Sequence, residues 1–173
     1  MKKIIFRESI LSTFLALAML ISVQPAQSAV TSLTLIIAGG GMSISAPTTG
    51  SFGSVASPST ATVTLGSVTV TDLRGAAAGG AWTATAVASQ LIQTDLTTMS
   101  AALFSYSPGI PVKTGTVTLT EYDATSLLTP FTIVGASAIT GNNTATWTPL
   151  ITVAVPSGLT SGTYTGTITH SVS

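Results

Sequence analysis

The stretch 'ATVTLGSVTVTDL' (61–73) alternates apolar and polar residues on both sides of Gly66. Leu65 lies on one parity, whereas Val68 and Val70 lie on the other. Successive side chains of a strand point to opposite faces, so an uninterrupted strand would turn one of these sets away from the core. The stretch therefore predicts half-buried antiparallel strands with a bulge or bend at Gly66.

The same period of two recurs along the chain, in 'SLTLIIA' (32–38), 'TGTVTLT' (114–120), 'PLITVAV' (149–155) and 'SGTYTGTITHSVS' (161–173). Turn signals separate these runs, among them 'GAAAGG' (75–80), 'SPG' (107–109) and 'GNN' (141–143). This spacing predicts an all-β protein, an antiparallel Greek-key or immunoglobulin-like β-sandwich of about eight or nine strands. Threonine and serine occupy every second place of the closing strand, and we expect them on its outer face.

One short segment departs from this period. 'TDLTTMSAALF' (94–104) is the only place where we expect a helical turn or two, with Asp95 as a possible cap.

The first 28 residues have the form of an export signal. Lys2, Lys3 and Arg7 precede an apolar run over residues 10–23, and 'QPAQSA' follows it. We expect cleavage after Ser28, which leaves one domain over residues 29–173, outside the cell or on its surface. An uncleaved membrane anchor is the alternative, although the run is short for a bilayer span.

The chain has few charges and no cysteine. The full sequence has five basic and five acidic residues, of which two basic and four acidic residues follow the predicted signal. Nucleic-acid binding needs clustered Lys and Arg, so it is set aside. A small exported domain without disulfides must be held by burial and sheet hydrogen bonds alone, which fits a bacterial surface protein.

Several pieces in succession resemble the WxL domain of bacterial cell-surface proteins. They are 'VTVTDLRG' (68–75), 'AWTATA' (81–86), 'GNNTATW' (141–147) and 'LITVAVPSGLTSGTYTGTITHSV' (150–172). The resemblance covers most of residues 30–173 and implies an all-β domain that attaches non-covalently to peptidoglycan.

The chain departs from the Trp-x-Leu motif that gives this family its name. Thr83 and Ala84 follow Trp82, and His170, Ser171 and Val172 stand where a second motif would align. These departures weaken the inference of wall binding more than the inference of the fold.

Three aromatic residues are ligand-binding candidates: Trp82, Trp147 and Tyr164. Aromatic faces stack on sugar rings, but packing in the core is the competing interpretation, because large aromatic side chains dominate burial. Small residues at Ala84 and Ala86 leave room for the Trp82 ring to lie on a sheet.

Two pairs of charged residues occupy alternate positions. Asp72 and Arg74 share one face of a strand end, and we interpret them as a structural brace, because Arg can engage a carboxylate through two hydrogen bonds. Glu121 and Asp123 share a face across Tyr122. A glycosidase pair is conceivable there, but a solvated pair in a loop is the favoured interpretation.

No metal or cofactor site is predicted. His170 is the one histidine, it has no cysteine partner, and we expect it half-buried at the rim of the sandwich. Calcium held by Glu121, Asp123 and the oxygens of Asn142 or Asn143 is an alternative for the acidic pair. The acceptor pattern Asn142-Asn143-Thr144 is interpreted only as a turn.

The expected function is that of a non-enzymatic surface protein that associates non-covalently with the cell wall or with other surface proteins. The alternative is a self-assembling structural subunit, pilin-like or layer-forming, that joins copies through edge strands. An enzyme and an ice- or mineral-binding threonine array are the remaining classes. Sandwich sheets twist, which disfavours a flat array.

Overall fold

The computed structural model describes residues 32–36 and 39–173. The chain divides between Ile36 and Ile37 into two units, and every strand belongs to the second. Residues 32–36 have no regular secondary structure and are exposed, so the strand predicted at 32–38 is wrong over the part described. The export signal predicted at 1–28 lies outside the described residues.

The protein is all-β, as predicted, and its sheets are antiparallel. Ten strands are present in the described residues, two of them only two residues long, against the eight or nine predicted. They are β1 (Met42–Ser45), β2 (Ser59–Thr64), β3 (Val68–Ala88), β4 (Leu91–Ile92), β5 (Thr98–Met99), β6 (Phe104–Ser107), β7 (Val112–Glu121), β8 (Phe131–Trp147), β9 (Leu150–Val155) and β10 (Ile168–Val172).

The strands form two main sheets and one small one. In the larger sheet the order is β1-β3-β8-β7, and β10 also pairs with β3. The second sheet has the order β2-β9-β6, and β4 pairs with β5. This layout is consistent with a sandwich, while the Greek-key or immunoglobulin-like connection stays a prediction.

The change of parity at Gly66 marks a passage between sheets. The chain leaves the second sheet with β2 and enters the larger sheet with β3, so residues on both sides of Gly66 can face one core. The buried cluster includes Val68 and Trp82 from the larger sheet and Ile151 and Val153 from the second sheet.

Two predicted turns lie inside long strands. The segments 75–80 and 141–143 belong to β3 and β8, whose register shifts between Asp72 and Ala76 and again before Gly80 and Trp82. Their glycines allow bulges here without breaking the ladder. The predicted helical turn is a single 3-10 turn, Ala101–Leu103, and Ser100 caps it instead of Asp95.

The alternation predicted for three strands is confirmed. Val117 is buried between exposed threonines in β7, and Ile151, Val153 and Val155 are buried in β9. In β10 the hydroxyl residues Thr169 and Ser171 are exposed, as expected of an outer face.

Candidate functional site

Trp82 lies in the core, where it begins a buried chain of hydrogen bonds. Its indole is 2% exposed, and its Nε1 donates to Asn143 Oδ1 at 3.1 Å. Asn143 Nδ2 in turn donates to Asp72 Oδ2 at 3.2 Å. The side chain is thus packed in the core, although Trp82 also belongs to the lining of a cleft on the larger sheet, so its role in ligand binding stays a prediction.

Asp72 and Arg74 close the base of the bulged segment of β3. Arg74 Nε and Nη2 donate to Asp72 Oδ1 at 2.8 Å and Oδ2 at 3.0 Å, and the Arg74 backbone N–H also donates to Oδ1 at 3.1 Å. Arg74 Nη2 reaches the Ala81 carbonyl at 3.1 Å. Chiefly through the Arg74 side chain, these bonds hold the pKa of the Asp72 carboxyl at about 2. The pair therefore has the geometry of a brace.

Trp147 is also 2% exposed, as the competing interpretation of packing in the core expects. Its Nε1 donates to the Tyr106 hydroxyl at 2.9 Å, and this hydroxyl lies 3.1 Å from His170 Nε2. Since the Tyr106 oxygen already accepts from Trp147, we assign its own hydrogen to the His170 nitrogen. Burial lowers the pKa of His170, which fits a neutral ring that accepts at Nε2.

Tyr164 is half-buried in a small polar cluster. Its hydroxyl donates to the Thr160 carbonyl at 3.0 Å. The Thr160 hydroxyl lies 3.1 Å from Asp95 Oδ2 and 3.0 Å from Gln93 Oε1. The backbone N–H of Thr97 lowers the pKa of Asp95. These contacts tie the chain before β10 to the turn after β4, which is a structural arrangement.

A shallow cleft lies on the outer face of the larger sheet. It has a volume of about 400 Å³, and we call it the outer trough, defined by Thr83, Thr120, Tyr122, Gly135, Ser137 and Ser173. Tyr122 is 45% exposed, and its ring lies over Gly135, where a methyl group on the glycine Cα would be 3.4 Å from Cε2 of the ring.

The strand register explains why a trough forms there. Thr83 of β3 pairs with Gly135 of β8, which pairs with Thr120 of β7. Ser173 exchanges backbone hydrogen bonds with Thr83 at 2.8 and 3.0 Å, so it extends the same rank. Neighbours in one rank share a face of the sheet. Because Gly135 has no side chain, the Tyr122 ring can lie against its backbone between the hydroxyl residues of this rank.

The remaining polar candidates do not assemble into a site. Glu121 and Asp123 are both exposed, as expected of a solvated pair. Asn143 is buried against Asp72 and Trp82, whereas Asn142 accepts from the Gly75 backbone N–H at 3.0 Å. No group of three residues suited to hold a metal ion occurs within 32–36 and 39–173.

Sequence reasoning missed Tyr106, Tyr122 and the buried role of Asn143. Asn143 has the same parity as Ala145 and Trp147, and that signal could have placed it on the inner face. Tyr122 has the same parity as Thr118 and Thr120, which could have placed it on the outer face. Nothing in the sequence near Gly135 indicates that this glycine lies against the ring of Tyr122.

Comparison with protein-family models, with curated protein sequences and with solved structures finds no match. The search for membrane-crossing helices finds no candidate in the part of the chain that the structure describes.

Proposed function

We propose that the protein is a non-enzymatic, exported surface protein that attaches non-covalently to the bacterial cell wall or to other surface proteins. The export signal predicted at residues 1–28 and the resemblance to WxL domains support the location. Among wall components, we propose that the glycan strands are its ligand and that the outer trough binds them.

The observation that carries this proposal is the exposed Tyr122 ring on Gly135 amid hydroxyl side chains. A sugar ring presents an apolar face to an aromatic ring, and its hydroxyls exchange hydrogen bonds with those of Thr and Ser. Thr83, Thr120 and Ser137 supply such groups around the trough. No charged residue lines it, which suits a neutral polysaccharide.

The buried polar residues support a binding role over a catalytic one. Asp72 is committed to Arg74 and Asn143, and His170 is committed to Tyr106. Each of these contacts joins two strands or closes a bulge, so it serves the fold. The outer trough itself offers hydroxyl groups without an acid or a base among its lining residues.

Co-sedimentation with isolated cell walls tests the proposal. The protein, expressed from the full chain, should sediment together with the cell walls. Soluble peptidoglycan fragments should compete with the walls for binding to it. Tyr122→Ala should bind about tenfold more weakly, equivalent to about 1.4 kcal/mol. Ile110→Ala removes an exposed apolar side chain outside the trough and should bind like the wild type. Unchanged pelleting of Tyr122→Ala, or a wild type that stays in the supernatant, would refute glycan binding at the trough.

Self-assembly is the second candidate function. An uncharged, hydroxyl-rich β surface has few of the charges that usually guard strand edges against pairing. In the two main sheets of the described residues, β1, β2, β6 and β7 stand at the ends.

A further inference from the structure

β7 stands at one end of the larger sheet and has a free edge. It runs over ten residues and pairs with β8 on one side, and no strand or isolated bridge of the described residues pairs with its other side. An edge strand presents main-chain N–H and C=O groups on which a further strand can build. The larger sheet could therefore grow at β7 unless something blocks it.

The pairing with β8 identifies the main-chain groups at that edge. Tyr122, one step past the last residue pair of β7 and β8, donates its backbone N–H to the Ile133 carbonyl at 2.9 Å. In an antiparallel pair, residues that bond to the partner strand alternate with residues whose N–H and C=O groups point away from it. By this alternation the main-chain groups of Glu121, Leu119 and Val117 point to the free edge.

One of these edge groups is already bonded to a side chain. Lys113 Nζ donates to the Val117 carbonyl. Lys113 pairs with the fully buried Ala145, and residues directly opposite on paired strands share a face, so the lysine side chain starts from the inner face of the sheet. An inward-pointing charge on an edge strand is one of the devices by which proteins prevent strand addition.

Gly115 makes this contact possible. In a straight strand four residue steps span about 13 Å, which is farther than a lysine side chain reaches from its own Cα. Gly115 lies midway between Lys113 and Val117 and has a φ of +78°, in the left-handed region that favours glycine. A side chain at this position would also collide with the backbone of Asn142. The bend at Gly115 therefore brings the ammonium within reach of the edge carbonyl.

The charge of Lys113 has no ionic partner in the described residues. Lys113 is the one lysine in that part of the chain, and the one salt bridge found there joins Arg74 to Asp72. An added strand would have to displace the ammonium from the Val117 carbonyl and cover it without a counter-charge. Removing an unpaired charge from water is costly, so both steps oppose strand addition.

We infer that Lys113 protects the free edge of β7: its ammonium occupies the hydrogen-bond site at Val117 and prevents a β-strand of another chain from joining the sheet there. The inference narrows self-assembly, the second candidate function, because copies that assemble through strand edges would have to use an edge other than that of β7. It does not rest on wall binding.

Lys113→Thr tests this protection. Threonine suits a strand, carries no charge and is too short to reach the Val117 carbonyl. In analytical ultracentrifugation of folded protein expressed from the full chain, Lys113→Thr should associate at a concentration at least about tenfold lower than the wild type does. The substitution leaves four basic residues against five acidic ones, a net charge of −1 in place of 0. Weaker charge repulsion therefore cannot explain the association.

Two variants serve as controls. Lys113→Arg keeps a charged donor on a long side chain and should associate no more than the wild type. Asp123→Thr removes another exposed charge, two residues after the end of β7, and should also behave like the wild type. The inference is overturned if either control associates as readily as Lys113→Thr, or if a folded Lys113→Thr protein associates no more readily than the wild type.

Hydrogen exchange shows whether the association uses this edge. The amides of Leu119 and Glu121 point away from β8, so in the wild type they should exchange faster than the amide of Thr120. In the associated Lys113→Thr protein they should become protected. Unchanged exchange at both amides would place the contact elsewhere and refute the assignment to β7. Tyr122→Ala keeps the lysine and should associate no more than the wild type, so a failure of wall binding leaves this inference unaffected.

Discussion

Arg74 donates two side-chain hydrogen bonds, of 2.8 and 3.0 Å, to the fully buried carboxylate of Asp72. The two residues stand on either side of Leu73, where the register between β3 and β8 begins to shift. The contact therefore holds β3 in place at the point where its regular pairing with β8 is interrupted. Through Asn143 it also positions the buried indole of Trp82.

Asp72→Asn should destabilise the fold by about 1–3 kcal/mol, because the amide cannot satisfy the donors of Arg74 and Asn143 together. Denaturant unfolding would measure the change. Asp123→Asn alters an exposed carboxyl and should leave the unfolding midpoint close to that of the wild type. Equal midpoints for Asp72→Asn and the wild type would show that the brace adds nothing to stability.

Asp72 should also govern acid unfolding. Its pKa is lowered from 3.8 to about 2 in the folded protein, so the folded state binds fewer protons than the unfolded chain between these values. The stabilisation is fully present above about pH 4 and is lost as the pH falls toward 2. Unfolding free energies measured across this range should fall steeply in the wild type and less steeply in Asp72→Asn. Parallel curves of unfolding free energy against pH for the two proteins would contradict the assignment of this pH dependence to Asp72.

His170 should make stability depend on pH near neutrality. Burial lowers its pKa in the folded protein, so the unfolded chain binds the proton more readily. Stability should therefore be highest above about pH 6.5 and decline as the pH falls through the window below it. Because His170 is the one histidine of the chain, His170→Asn should remove most of this slope. An unchanged slope in that variant would rule out His170 as its source.

Tyr106 joins the Trp147 indole to His170, and Tyr106→Phe should cost about 1–3 kcal/mol by leaving the indole N–H without an acceptor. Thermal or denaturant unfolding would measure this loss of stability. Tyr122→Phe removes a hydroxyl from an exposed ring and provides the control. A Tyr106→Phe protein as stable as this control would mean that the indole finds another partner.

Alternation along single strands was predictable, whereas contacts between distant strands were not. The inner faces of β7 and β9 follow directly from their own residues, because each strand pairs regularly and buries one face. The segment 75–80 has the composition of a turn, since three glycines stand there, but tertiary pairing with β8 keeps it in the ladder. The outer trough needs Gly135 and Tyr122 to meet across a strand pair, and the spacing within one strand does not encode that register.

The trough makes Gly135→Thr the most selective test of glycan binding. The new side chain would continue the threonine rank of Thr83 and Thr120. Its Cβ would lie in van der Waals contact with the Tyr122 ring, 3.4 Å from Cε2, and its two γ atoms would take up space that a ligand needs in the outer trough. Threonine suits a strand better than glycine, so stability should stay the same or rise by up to about 1 kcal/mol. Wall binding should nevertheless fall about as far as in Tyr122→Ala, about tenfold in co-sedimentation.

Ser43→Thr is the matched control for this substitution, because it adds a methyl group at an exposed position of β1, outside the trough. It should bind walls like the wild type. A stable Gly135→Thr protein that pellets with walls as well as Ser43→Thr does would show that the ligand does not enter the trough. Loss of binding without loss of stability would separate recognition from folding at one residue, since Gly135 lies on the outer face and contributes no side chain to the core.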